Sequence, residues 1–306
     1  MSRGIALSCS VRWTRWRTAH LGLLAACALV AAPAAAESAS PNGVVALLTD
    51  YGEQDFYVGA LKGAVLSSCL EARLVDLSHD VPAYDVRVAA WQLWDSAREF
   101  PPGTVFVAIV DPGVGTGRRP VVLETAAGHW FVGPDNGLFT VVERAGGPGV
   151  YREITRREWM RPGEISASFH GRDIFGPAAG RLACGAPFES AGAVVVDPVR
   201  LAFPEARVEG NALVGDVLFA DRYGNLQTNI AGSLLESIGA ATAVEIEVAG
   251  KEARARLART YGDVPEGELL VLTASTGRIE IARNMRSVAE EFGAKPGSPV
   301  VIRRAD

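Results

Sequence analysis

TVFVAIVD, residues 104–111, is an unbroken apolar run that ends on a carboxylate. A run of this length without polar alternation is what a strand covered on both faces requires. VVALLTD (44–50) repeats the pattern and also closes on Asp. Between them, RLVDLS (73–78) reads as a further strand. Two stretches place apolar residues at helical spacing: Val58, Leu61, Val65 and Cys69, then Val86, Ala90, Leu93, Trp94 and Ala97, the latter stopped before Pro101 and Pro102. PVVLET (120–125) and HWFVGPD (129–135) follow as a strand pair, and a last helix is predicted from about Asp173 to Cys184, closed by Gly185. Strand alternating with helix predicts an N-terminal three-layer α/β domain with a mainly parallel sheet, over residues 43–192.

Beyond residue 190 the pattern changes to short strands separated by Gly, Asn and Pro: LVGDVLFAD, AVEIEVAG, EARARLA, ELLVLTA, RIEIA and PVVIRR. They predict a C-terminal antiparallel β-domain, barrel-like, over 205–306. GRIEIARN (277–284) reads as one of its edge strands. The join GAVVVDPVRLAFPEARVEG carries two prolines and reads as a crossing between domains.

The N-terminus differs in kind. Arg3, Arg12, Arg15 and Arg17 precede the apolar run LGLLAACALVAA, and Ala34 and Ala36 are spaced for A-x-A processing. That pattern predicts a signal peptide over 1–36, cleaved on export to the periplasm or the medium. Leu24 to Cys27 also resembles a lipoprotein box, which would anchor the mature chain through a lipidated Cys27; otherwise no membrane association is expected. Of 30 basic residues four lie in the leader, so 26 remain against 35 acidic ones, a net charge of −9. An acidic chain is a poor partner for nucleic acid. Cys69 and Cys184 survive processing; export permits a disulfide, but their separation in sequence leaves pairing open. The scattered His and the lack of a C-x-x-C pair predict no metal site.

Several polar residues sit where α/β sheets bind ligands, beyond the carboxyl ends of strands. Asp50, followed by Tyr51 and Gly52, suits a ribose diol, or equally a helix cap. Asp111 runs into Pro112 and Gly113, with Arg118 seven residues on; the two suit a ligand site or a structural ion pair. His170, in SASFHGRDIFGP, suits acid–base work or a satisfied core position. PDNG (134–137) reads as a hairpin turn. Asn225, in ADRYGNLQTN, reads as a turn residue or an amide aimed at a ligand.

Taken in order, TDYG, DxYVGxxKG (Asp55 to Gly63), DPGVG with RR, PDNG, FHGRDIF, YGN and IARN resemble the adenosine-forming S-adenosylmethionine (SAM) hydrolases, also called SAM hydroxide adenosyltransferases, relatives of the fluorinase and chlorinase. The resemblance covers about residues 43 to 304. It implies hydrolysis of SAM to adenosine and L-methionine by in-line attack of water on the ribose 5′ carbon, without cofactor or metal. It implies a homotrimer with sites between one subunit's N-domain and its neighbour's C-domain. Asp111, Arg118 and His170 match the set that holds and activates water. Asp50, with Tyr51, matches the ribose carboxylate region, and Asn225 an adenosine-side amide. Ser275, Glu280, Arg283 and Met285 match the region around adenine and methionine. Halide-using members lack the Asp-Arg-His set, and the fluorinase carries a long loop where only AAGHW stands here. Tyr84 also departs, standing where the halogenases have Trp. An exported SAM- or adenosine-binding protein with little turnover, a halide-using relative, and an unrelated metal-dependent hydrolase are the alternatives.

Overall fold

In the computed structural model of the chain, Met1, residues 40–239 and residues 242–305 are described. The leader read over 1–36, with Cys27, lies outside the described residues apart from Met1. The described residues from 40 onward form one compact unit.

Its first sheet joins β1 (Val44–Thr49), β2 (Arg73–Ser78), β3 (Val105–Ile109), β4 (Pro120–Thr125), β5 (Trp130–Pro134), β6 (Gly149–Glu153) and β7 (Val194–Val195) in the order β2-β1-β3-β5-β4-β6-β7. The half β2-β1-β3-β5 is parallel, and β4, β6 and β7 extend it antiparallel. Successive side chains point to opposite faces of a strand, so the apolar runs feed two cores. Val45, Leu47, Val105 and Val107 pack under α1 (Tyr57–Ser68), while Ala46, Leu48, Phe106 and Ala108 pack under α2 (Val86–Ala97) and α3 (Thr140–Gly146). α4 (Gly176–Ala183) lies beside α1 on the first face through Ala178, Ala179 and Leu182. That two-sided cover is why these strands lack alternation. The C-terminal ends of α1 and α4 are joined by a disulfide between Cys69 and Cys184, 115 residues apart, which answers the pairing that spacing left open.

PDNG is not a hairpin turn. β5 pairs parallel with β3 and antiparallel with β4, and residues 135–139 lead into α3 instead. The β4–β5 hairpin turns earlier, through residues 126–129.

The second sheet contains β8 (Arg207–Glu209), β9 (Ala212–Ala220), β10 (Leu226–Ala231), β11 (Ala243–Val248), β12 (Lys251–Leu257), β13 (Leu269–Thr273), β14 (Arg278–Arg283) and β15 (Pro299–Arg304). Its order is β10-β14-β13-β12-β11-β15-β9-β8, and pairing of β10 with β9 closes seven strands into a barrel. All its ladders are antiparallel except β12–β13. GRIEIARN is therefore not an edge. Closure places β14 between β10 and β13 and buries Ile279 and Ile281 in the barrel core. α5 (Val288–Phe292) packs on the barrel through Val288 and Phe292.

Charged contacts tie the barrel to α2. Arg278 donates from both terminal nitrogens to Asp95, and its guanidinium lies 5.1 Å from the Trp91 ring centroid. Arg98 donates to the Ser275 and Thr276 carbonyls. Among the described residues no helix is long and apolar enough to cross a membrane.

Candidate active site

β1 and β3 deliver Asp50 and Asp111 past their carboxyl ends, onto one side of the sheet. The Asp50 carboxylate accepts from the Tyr84 backbone N–H at 2.9 Å. Tyr84 has a φ of 67°, a left-handed conformation unusual for a non-glycine residue, and is held just ahead of the Asp85 cap of α2.

Asp111 and Arg118 are the two ends of one loop. Arg118 Nε lies 2.9 and 3.0 Å from the two carboxylate oxygens of Asp111, and Nη2 also donates to Oδ2. Both side chains are almost fully buried. Arg118 Nη2 reaches His170 Nδ1 at 2.8 Å, and the guanidinium sits over Phe175. An arginine has only donors, so Nδ1 of His170 accepts and a neutral ring carries its proton on Nε2. Gly115, at φ +75°, lets the loop touch the segment before His170: a Cβ there would stand 2.3 Å from the Ala167 carbonyl oxygen.

His170 precedes a π-helical turn, Gly171–Phe175, that leads into α4. Such turns are uncommon and concentrate at functional sites. Fully buried Asp173 fixes the turn, accepting from Arg172 Nε (2.6 Å) and from the Ser166 N–H (2.8 Å). At Gly171 a Cβ would stand 2.5 Å from the Tyr51 hydroxyl, so the turn and Tyr51 are in close contact.

Asp50, Asp111, Ser166, Ser168, His170 and Arg172 form the polar lining of a cleft of about 580 Å³, with Tyr51, Phe56, Tyr57, Tyr84 and Phe169 as its aromatic wall; Arg118 backs Asp111 and His170 without lining the cleft itself. That volume suits a nucleoside-sized ligand. Burial raises the Asp50 pKa, opposed by the Tyr84 N–H and reinforced by Asp111. Burial, then the charge of Asp50, pushes the Tyr51 hydroxyl well above its usual range. Burial, then Arg118, lowers His170 below the ordinary histidine value.

One supporting group escaped the sequence reading. Buried His79 lies 2.8 Å from Thr49 Oγ1 through Nδ1 and 3.1 Å from Asp76 through Nε2. Thr49 Oγ1 accepts from the Tyr51 N–H, and the His79 carbonyl accepts from the Gly52 N–H. This holds the chain on both sides of Asp50. The strand read over RLVDLS (73–78) stops one residue short of His79, and nothing local singled that residue out.

The candidates in the C-terminal half do not reach this cleft. Asn225 is buried and bonded to Asp221 through both its amide nitrogen and its backbone N–H. Glu280 is buried and accepts from Gln227 and from the Tyr261 hydroxyl. It lines a separate depression of about 520 Å³ with Ser275, Tyr261 and Asp221. Arg283 is paired with Glu291, and Met285, at φ 62°, is exposed. As for metal ligands, Cys69, Glu71 and Cys184 come together among the described residues, but both sulfurs are spent in the disulfide.

Carboxylates beyond parallel strands, facing an aromatic-walled cleft, are what an α/β ligand-binding domain presents. The models of the SAM hydroxide adenosyltransferase N-terminal and C-terminal domains match residues 45–192 and 215–301, and the chain belongs to that family. A relative from Salinispora tropica named (R)-S-adenosyl-L-methionine hydrolase is 41% identical over 261 residues, covering 84% of this chain and 97% of its own. A fluorinase from an Actinoplanes species is 30% identical over 298 residues, covering 87% of this chain and 99% of its own. The crystal structure of an uncharacterized conserved protein from Thermotoga maritima matches with a TM-score of 0.82 at 37% identity, covering 85% of this chain and 100% of that one.

Proposed function

We propose that this chain hydrolyses S-adenosyl-L-methionine to adenosine and L-methionine, with Asp111, Arg118 and His170 as its catalytic residues. The observation that carries the reading is the Arg118 guanidinium bridging Asp111 and His170, which line one cleft with Asp50. The sulfonium of the substrate is already a good leaving group. What the protein supplies is a water in line with the C5′–S bond, and such positioning contributes roughly 7–11 kcal/mol. The C5′–O bond forms, the C5′–S bond breaks, and its electron pair goes to sulfur. Positive charge moves onto the attacking oxygen until its proton passes to Asp111 and from there to solvent. A carboxylate fixed near that oxygen, rather than near sulfur, stabilises the transition state more than the ground state. Asp111 is that carboxylate, and His170 Nε2–H orients the water by donating to it. Asp50 binds the ribose diol, and Tyr51 and Tyr84 pack along the nucleoside.

No metal or other cofactor takes part in this scheme. Arg118 bonds to both carboxylate oxygens of Asp111 and balances its charge, which supports a cation-free role, while the remaining lone pairs can meet the water. Purified protein given SAM in oxygen-18 water should release adenosine labelled at the 5′ oxygen, with EDTA making no difference. Binding without adenosine would leave a SAM-binding protein, and inhibition by EDTA would make the chemistry metal-assisted.

The lowered His170 pKa sets the pH dependence. Turnover should stay level near neutrality and fall only below about pH 6.5, the ordinary histidine value, as Nδ1 gains a proton that faces the Arg118 guanidinium. A kcat profile whose acid limb is centred above that value would remove His170 from this role.

The assembly belongs to the same proposal: an exported, cleaved chain of two domains, 43–192 and 205–306, forming homotrimers. Asn225, Ser275, Glu280, Arg283 and Met285 then serve a neighbour's cleft, Asn225 toward adenosine and the others toward adenine and methionine. The separation of those residues from their own chain's cleft supports this, as do the exposed Tyr84, Tyr223 and Met285. The disulfide supports export, because such bonds persist in oxidising compartments. Intact mass and light scattering on secreted material check both; a chain retaining residues 1–36, or a monomer, would refute the corresponding part.

A further inference from the structure

We propose that Asp135 and Asn136 are positioning residues for the reaction, a bracket that sets the separation of Asp111 and Arg118. The proposal rests on the reading of those two as the water-presenting pair. Val110 immediately precedes Asp111, and Arg119 immediately follows Arg118. Asn136 Nδ2 donates to the Val110 carbonyl at 2.9 Å. Asp135 N–H donates to the Arg119 carbonyl at 2.9 Å, and Arg119 Nε donates to Asp135 Oδ2 at 2.8 Å. Both arms of the loop are thus tied to one dipeptide.

The bracket starts where the sheet stops. Ladder pairing of β3 ends at Val107 on the β5 side and at Ile109 on the β1 side. Beyond those points Asn136 supplies the partner for Val110. The Asp135 side chain is only 2% exposed. A buried carboxylate is tolerated when its oxygens are bonded, and Asp135 meets that condition, since Oδ1 accepts from the Val199 N–H at 2.8 Å. Asn136 Oδ1 in turn accepts from the Leu138 N–H. The dipeptide is therefore itself fixed, by the start of α3 and by the segment that leads to the barrel.

A misplacement of about 1 Å at a reacting geometry can cost on the order of 100-fold in rate. The charged and titratable groups facing His170 are Arg118, Asp111 and Asp173, so a shift of Arg118 also registers in the titration of His170. Asn136→Ala should lower kcat about 10–100-fold with KM changed by less than about twofold. The His170 imidazole, followed by nitrogen NMR and assigned with His170→Gln, should titrate at higher pH than in the parent, because Arg118 has withdrawn. Unchanged kcat, or a fall in kcat with the parent titration of His170, would overturn the proposal. Should Asn136→Ala fail to fold, Arg119→Gln removes the side-chain bond of the other arm, at a more exposed site and with the backbone bond kept, and is read in the same way. Absence of adenosine formation by the parent protein would defeat the hydrolase reading instead, and the NMR titration would still decide the bracket.

Discussion

Asp111→Asn is expected to lower kcat for adenosine formation by about 10²–10⁴-fold, the range for loss of a positioned proton-transfer group. The amide keeps the shape of the carboxylate, and its oxygen can still accept from Arg118. What disappears is the negative charge that the attacking oxygen meets as it turns positive. Asn is the better probe than Ala for this site. Ala would strand a guanidinium that is 8% exposed, and breaking a buried pair by removing one partner costs about 3–5 kcal/mol of stability. The affinity for SAM should change little, since Asp50 and the aromatic wall remain. Single-turnover kinetics with parallel calorimetry reads both quantities. If Asp111→Asn keeps more than about a tenth of the parent kcat, the carboxylate is not the electrostatic partner of the water.

Loss of the Cys69–Cys184 bond should lower Tm by on the order of 10 °C, because removing a native disulfide costs about 2–5 kcal/mol and each kcal/mol moves a chain of this size by about 2–4 °C. The bond spans 115 residues and so closes a long loop in the unfolded chain. kcat at room temperature should stay within about twofold. Cys69 caps the far end of α1, and the 12 residues of that helix carry it about 18 Å from Tyr57 at the cleft. Calorimetric scans of the oxidised protein and of a Cys69→Ser, Cys184→Ser double variant make the comparison. Equal melting temperatures would mean that packing between α1 and α4 holds without the cross-link.

The sheet was legible because burial on both faces leaves a plain mark. TVFVAIVD and VVALLTD can be little other than central strands, and helical spacing located α1 and α2 within a residue or two. α3 was missed because TVVERAG is short and starts without a side-chain cap. β10 was missed because LQTNIA carries Gln227, Thr228 and Asn229 in succession, which breaks the period of two; burial of the first two follows from barrel closure, a long-range fact. The same closure overturned the reading of GRIEIARN as an edge. At the site, position beyond strand ends pointed to Asp50 and Asp111. Nothing local pointed to His79, whose partner Thr49 lies 30 residues away, and PDNG was read as a hairpin turn because the Asn136–Val110 bond spans 26 residues. Of the barrel residues, Asn225 was read as a turn residue or a ligand-facing amide, and Ser275, Glu280, Arg283 and Met285 were picked out by family resemblance alone.

The π-helical turn at Gly171–Phe175 closes five residues back, with the Gly176 N–H donating to the Gly171 carbonyl. An α-helical turn advances about 100° per residue, so rewinding this segment as α would swing everything ahead of it around the axis of α4. His170 would leave Arg118 while every residue of FHGRDIF kept its identity. The aim of the imidazole is therefore encoded by one surplus residue in the winding of the backbone. A deletion there, though it removes no polar group, would act on the site as a rotation.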